Sequence, residues 1–221
     1  MAYVDGFNLY FGLKEAAWRR FLWLNLPKLA DLLIDKTYQD LLLTKYFTTR
    51  ISGPPGKKKR QSDYLEALDC HCQKSLVMFF GRYQDEPWTC ARCEHTEQVS
   101  HEKKTDVNIA VEMITDAHAN SFDTALLISA DSDLVPAVAA VRRLFPEKRV
   151  VVAFPPERFS TELKGMAHAS FTIGRAKFAN AQLPETVIKR DGTALTRPDK
   201  WRPQATEFGN TLLEAIDKAA G

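Results

Sequence analysis

Short apolar runs that stop at an acid or a turn, separated by amphipathic stretches, set the strongest limit on what this chain can fold into. AYV ends at Asp5, ALLIS runs into Ala130 and Asp131, and residues 41–51, LLLTKYFTTRI, are rich in β-branched and aromatic side chains. Runs of this length and content read as strands. LVMFFGRY, residues 124–129, 149–154 and 170–173 are further strands. Helices are expected over residues 10–21, from Asn25-Leu26-Pro27 onward, over QSDYLEALDCHC, and over 105–119, 134–144 and 161–167. This alternation predicts an α/β fold, a Rossmann-like three-layer sandwich with a mainly parallel central sheet covered on both faces. Beyond Leu183 the pattern changes: Asp191-Gly192 suggests a hairpin turn, and Phe208, Leu212 and Ile216 a final amphipathic helix.

The 221 residues suit one α/β domain with attachments, read as a domain over 1–182 and an extension over 183–221. A net charge of +2 leaves any nucleic-acid affinity to local patches. No stretch is long and apolar enough to span a bilayer, and Asp5 stands where a secretion signal would place basic residues before an apolar block. A cytoplasmic protein is expected. In that reducing setting Cys70, Cys72, Cys90 and Cys93 read as free thiols or metal ligands.

Acids placed where strands stop carry the chemistry. A carboxylate at the mouth of a buried strand is costly to keep unpaired, so several on one edge imply a cation between them. Asp5, Asp131 and Asp133 follow strands, and Asp106 opens the helix of EKKTDVNIAVEM. At 100° per residue Asp106 shares a stripe with Ala110, Met113 and Ala117 on the core side, with Asn108, Glu112 and Thr115 opposite. Each acid also has a plain structural reading: Asp106 or Asp133 as a helix cap, Asp5 as part of a turn.

Arg50 and the SGPPGKKKR loop, with Lys57, Lys58, Lys59 and Arg60, suit contact with a phosphate backbone, or else form a solvated charge run. Phe7, Tyr46 and Phe47 read as packed in or beside the sheet, the alternative being that they stack on bases. Residues 84–102 match no regular period and read as an inserted loop or zinc knuckle. Cys90 and Cys93, with Cys72 and His101, form a candidate structural zinc set; the alternative is surface thiols.

VDGFNLYFGLK, EKKTDVNIAVEMITDA and LLISADSDLVPAV resemble, in order, the motif blocks of NYN-domain proteins, a branch of the PIN-like ribonucleases, and most of all its LabA-like group. FSTELKGMAHASFTIG and QLP extend the resemblance to about Leu183. The resemblance implies a PIN-like fold and a metal-binding acid set of Asp5, Asp106, Asp131 and Asp133, with Asn8 and Ser129 as polar, substrate-side neighbours. Asp5 and Asp131 would hold Mg²⁺ or Mn²⁺ most directly, with Asp106 and Asp133 completing the site or orienting water. The expected activity is metal-dependent hydrolysis of RNA, with DNA as a further substrate class; a non-catalytic RNA-binding or regulatory module is the alternative. A phosphatase or nucleotide-handling enzyme would need an Asp-x-Asp pair after the first strand and a phosphate-binding glycine loop, and the chain has neither. Lys104 and Ala130 stand where relatives often have glycine, Lys104 as a phosphate contact or a solvated residue.

Overall fold

A computed structural model of the chain describes residues 1–89, 92–93 and 95–203. The first strand, β1 (Ala2–Asp5), turns directly into α1 (Gly6–Glu15), because the Asp5 carboxylate caps the helix and accepts the Phe7 and Asn8 backbone N–H groups. Asn25 caps α2 (Leu26–Leu33) in the same way, with Pro27 in the first turn, where its missing N–H costs nothing. There follow β2 (Thr44–Thr48), α3 (Pro55–Cys72) and β3 (Leu76–Phe80). An antiparallel ribbon, β4 (Arg82–Thr89) with β5 (Thr96–Lys103), leads into α4 (Thr105–His118). The second half alternates β6 (Thr124–Ile128), α5 (Val135–Leu144), β7 (Arg149–Phe154), α6 (Thr161–Met166) and β8 (Ala169–Thr172). A short α7 (Arg175–Asn180), the hairpin of β9 (Thr186–Ile188) and β10 (Ala194–Thr196), and a 3₁₀ turn at Asp199–Trp201 complete the described elements.

The central sheet has the order β3-β2-β1-β6-β7-β8, with every pairing parallel. The chain winds outward from β1 in one direction and from β6 in the other. β1 and β6 therefore flank the switch point, where parallel sheets open a crevice beyond their strand ends. Side chains alternate between the faces. Ala2 and Val4 of β1 and Leu126 and Ile128 of β6 join the core under α1, α2, α3 and α7. Tyr3 and Leu127 join the core under α4, α5 and α6. Asp5 and Ser129, two residues beyond Tyr3 and Leu127, thus fall on the α4 side.

Three elements differ from the sequence expectation. The basic run Lys57–Arg60 is helical, not loop: α3 begins at Pro55, which is preset for a first helical turn, and Lys and Arg are good helix formers. The cysteine-bearing segment is largely the β4–β5 ribbon, and Pro87 is tolerated because a two-stranded ribbon is all edge. The first helix ends at Glu15 rather than near Phe21, with a separate 3₁₀ turn at Arg19–Phe21. The Asp191-Gly192 turn is present, with Gly192 at φ +84°. Val187 and Leu195 of that hairpin are buried in the α1–α3 core. The helix expected around Phe208 to Ile216 lies outside the described residues.

Candidate active site

Asp5 is 2% exposed at the carboxyl end of β1 and is held from two sides. Its Oδ1 accepts the backbone N–H groups of Phe7 at 3.1 Å and Asn8 at 3.0 Å. Its Oδ2 accepts the Ser129 hydroxyl at 2.8 Å. The same Ser129 oxygen accepts the Asp131 backbone N–H at 3.0 Å, and Asn8 Oδ1 accepts the Ala130 N–H at 3.2 Å. Six residues from the ends of β1 and β6 are thereby tied into one unit. Asn8 and Ser129, expected as substrate-side neighbours, are used to fix Asp5 and the 129–131 turn.

Asp106 reaches this unit from the first turn of α4. One carboxylate oxygen from each of Asp5, Asp106 and Asp131 lies within 4.8 Å of the others. These three acids of the expected set meet at the switch point. Asp133 lies outside that group: it is exposed, in the 3₁₀ turn Ser132–Leu134, and its backbone N–H is donated to Asp131 Oδ1 at 3.0 Å. Asp131, not Asp133, is therefore the cap of this turn.

The core stripe of α4 is Thr105, Ile109, Met113, Asp116 and Ala117, with Asp106 half-buried at its border. Glu112 does not face outward as expected; it pairs with Lys45. α4 is entered through Lys104 at φ +83°, a left-handed conformation that costs a non-glycine residue about 1–2 kcal/mol. Its side chain is exposed. Ala130 needs no such conformation, so alanine there is harmless.

Burial raises the Asp5 pKa above the usual carboxylate range, the hydrogen bonds from Asn8 and Ser129 pull it down, and the nearby Asp131 charge raises it again. The net displacement is upward. A buried carboxylate strained this way, beside two others, fits a cation that would restore its ionised form. The donors are all carboxylate oxygens, the set that hard divalent cations select.

Gly6 is sterically required. A Cβ there would sit 2.7 Å from the Phe47 carbonyl oxygen and 2.9 Å from the Tyr46 hydroxyl, so β2 can lie this close only against glycine. Its place directly after Asp5 was the available signal.

Of the basic residues, Lys57 and Arg60 line a cavity between α1 and α3. Lys59 is exposed and turns to Asp63 at 2.9 Å on its own helix. Lys58 is exposed on the same turn. The Arg50 guanidinium lies 5.2 Å from the Phe80 ring centroid.

Of the expected zinc set, the structure describes the side chains of Cys72 and Cys93. Cys72 is a core residue whose thiol lies 3.7 Å from Asn25 Oδ1, and burial pushes its pKa up to about 12. Cys93 is exposed. Cys90 and the His101 side chain lie outside the described residues.

Among the described residues no helix is long and apolar enough to cross a membrane. Compared with known proteins, the chain is similar to 6-hydroxy-3-succinoylpyridine 3-monooxygenase HspA of Pseudomonas putida (strain DSM 28022 / S16). The identity is 24% over 253 aligned positions, covering 98% of this chain and 78% of that protein. Among solved structures it resembles a protein of unknown function, VPA0982, from Vibrio parahaemolyticus RIMD 2210633, at 17% identity and a TM-score of 0.48, covering 79% of this chain and 92% of that one. The profile of the NYN domain matches residues 3–174, from the start of β1 to the end of β8 and across all three clustered acids, and on that match the chain belongs to the NYN-domain family.

Proposed function

We propose that this protein is a ribonuclease that hydrolyses RNA phosphodiester bonds with a divalent cation, Mg²⁺ or Mn²⁺, held by Asp5, Asp106 and Asp131. The observation that carries this reading is the convergence of the three carboxylates at the switch point of a parallel sheet in an NYN-domain chain. When bound, such a cation supplies charge neutralisation at the phosphoryl oxygens and activation of water. The chain's own residues do the positioning. Asp5 is oriented before any ligand arrives, by two backbone amides and Ser129. Asn8 locks the start of α1 to the turn that carries Asp131. Asp133, exposed beside the group, adds negative charge at its rim, and the basic first turns of α3 attract the RNA backbone.

Replacing Asp131 with Asn tests the reading, because it removes a charge with almost no change of shape. Cleavage of unstructured and structured RNA in Mg²⁺ or Mn²⁺ should fall on the order of a hundredfold or more, with the thermal transition retained. Wild-type protein that binds RNA but never cleaves it would instead favour a non-catalytic RNA-binding module on the same fold.

A second reading has its own support: the likeness to the monooxygenase runs through nearly the whole chain. On that reading the protein oxidises a small hydroxypyridine. Oxygen consumption dependent on 6-hydroxy-3-succinoylpyridine and a reductant would establish it, and none under conditions where RNA is cut would remove it.

A further inference from the structure

We propose that the cavity between α1 and α3 binds one six-membered heteroaromatic ring whose attached anion rests on Lys57 and Arg60, and that its occupant is a pyrimidine nucleotide of the RNA. The choice of RNA as the source rests on the ribonuclease reading above; the ring-and-anion chemistry does not. The cavity volume is about 150 Å³, a size at which a protein cavity holds a single benzene-sized ring. A purine's fused second ring would not fit within that volume beside the first.

Aromatic side chains supply the walls: Phe7 and Tyr10 of α1, Tyr46 of β2, Tyr64 of α3, and Trp201. Flat aromatic faces stack bases from single-stranded RNA. Two of these walls, Tyr64 and Trp201, are fixed in advance. Tyr64 donates its hydroxyl to the Leu24 carbonyl at 2.9 Å, and the Trp201 ring lies 6.0 Å from Tyr64 and 6.4 Å from Trp23. Preset rings lose little entropy when a ligand enters. Lys57 and Arg60 are three residues apart on α3, so they share a helix face, and both line the cavity. An apolar slot with two cations at one side suits a ring that carries a negative group.

The cavity also adjoins the acids. Gly6 and Phe7 line it immediately after Asp5, and the Tyr46 hydroxyl would lie 2.9 Å from a Cβ on Gly6. A nucleotide seated here has its ring on one side of the β1 end while Asp106 and Asp131 lie on the other. Trp201 comes from beyond the last residue of the NYN match, 174, so this wall is supplied by the C-terminal segment.

The test is equilibrium binding to the full chain without metal, in EDTA, followed by ligand-observed NMR with CMP, AMP and nicotinate as probes. CMP should bind, and AMP should bind about tenfold more weakly or worse, since stacking of one base is worth a factor of that order. Ile51→Trp, which fills the cavity from its half-buried rim, and the exposed-site change Lys57→Glu should each weaken CMP by about tenfold. Equal affinity for CMP and AMP, or CMP binding untouched by both variants, would overturn the proposal. Nicotinate binding as tightly as CMP would overturn the nucleotide assignment in favour of a free aromatic acid. RNA cleavage without CMP binding would sink this site alone, whereas CMP binding without cleavage would sink the ribonuclease reading and leave the ring site standing.

Discussion

Two groups of acids lie along α4 and the strands beneath it, and the fold treats them in opposite ways. Toward the end of the helix, Glu112 and Asp116 receive the buried Lys45 ammonium at 2.6 Å and 2.7 Å, and Tyr3 donates its hydroxyl to Asp116 at 2.6 Å. At its start, Asp106 meets Asp5 and Asp131, whose hydrogen bonds come from Ser129 and backbone amides, all uncharged donors. The first group contains its own cation. In the second, Asp5 and Asp131 are oriented by neutral hydroxyl and amide groups rather than by a buried ammonium. A count of acids does not mark a site; what neutralises them does.

The largest expected effect attacks the self-neutralised group. Lys45→Met leaves Glu112 and Asp116 facing each other in a largely buried place, and should cost about 3 kcal/mol in urea denaturation, the lower end for a broken buried pair because Glu112 is partly exposed. An unchanged midpoint would break the contrast. Burial acts to lower the Lys45 pKa, but its hydrogen bonds to Asp116 and Glu112 outweigh that and raise it above 10.5. A raised lysine stabilises fully below its unfolded pKa, so this contribution should be lost only as pH climbs through the higher folded value.

A slightly smaller effect should come from a divalent cation at the Asp5, Asp106 and Asp131 group. Mn²⁺ at a hundred times its dissociation constant should raise stability by about 2.7 kcal/mol at neutral pH, measured by thermal or urea unfolding. Asp5→Asn should remove that response without lowering stability in EDTA, because it deletes a buried charge and keeps the shape. A marked loss in EDTA would mean that Asp5 is a structural acid like Asp116. Asp5 has a raised folded pKa, so protonation favours the metal-free fold as pH falls through that value, while the cation needs the anion. The Mn²⁺ response should therefore shrink at a higher pH than an ordinary carboxylate would give.

The smallest effect concerns the hinge that delivers Asp106. Lys104→Gly relieves a left-handed residue at φ +83° and should raise stability by about 1 kcal/mol, read as an upward shift of the thermal midpoint. No gain would mean that Lys104 makes compensating contacts.

Much of this was legible locally. Strands that stop at Asp5 and before Asp131, the helix opening at Thr105, and the Asn25 and Pro27 start of α2 follow from periodicity and capping, which depend on near neighbours in the chain. The α/β class follows from their alternation. The basic run was misassigned because Pro-Pro-Gly reads equally as a loop or as the lead-in to a helix, and only the packing of Tyr64, Leu65 and Leu68 in the core commits it to α3. Lys45 gave no signal at all: a lysine in a strand run looks solvent-facing until α4 brings two acids over it.

The sequence by itself determined which residue types stand at strand ends and helix starts, because spacing of two or 3.6 and the chemistry of caps are properties of the nearby chain. Tertiary structure alone decided that Asp5, Asp106 and Asp131 share one point while Asp133 stays outside, that Cys72 is buried in the core, and that Trp201 closes a cavity begun at Gly6. Those outcomes depend on strand order and on which helix covers which face. They join residues tens to nearly two hundred positions apart, and no local pattern carries that information.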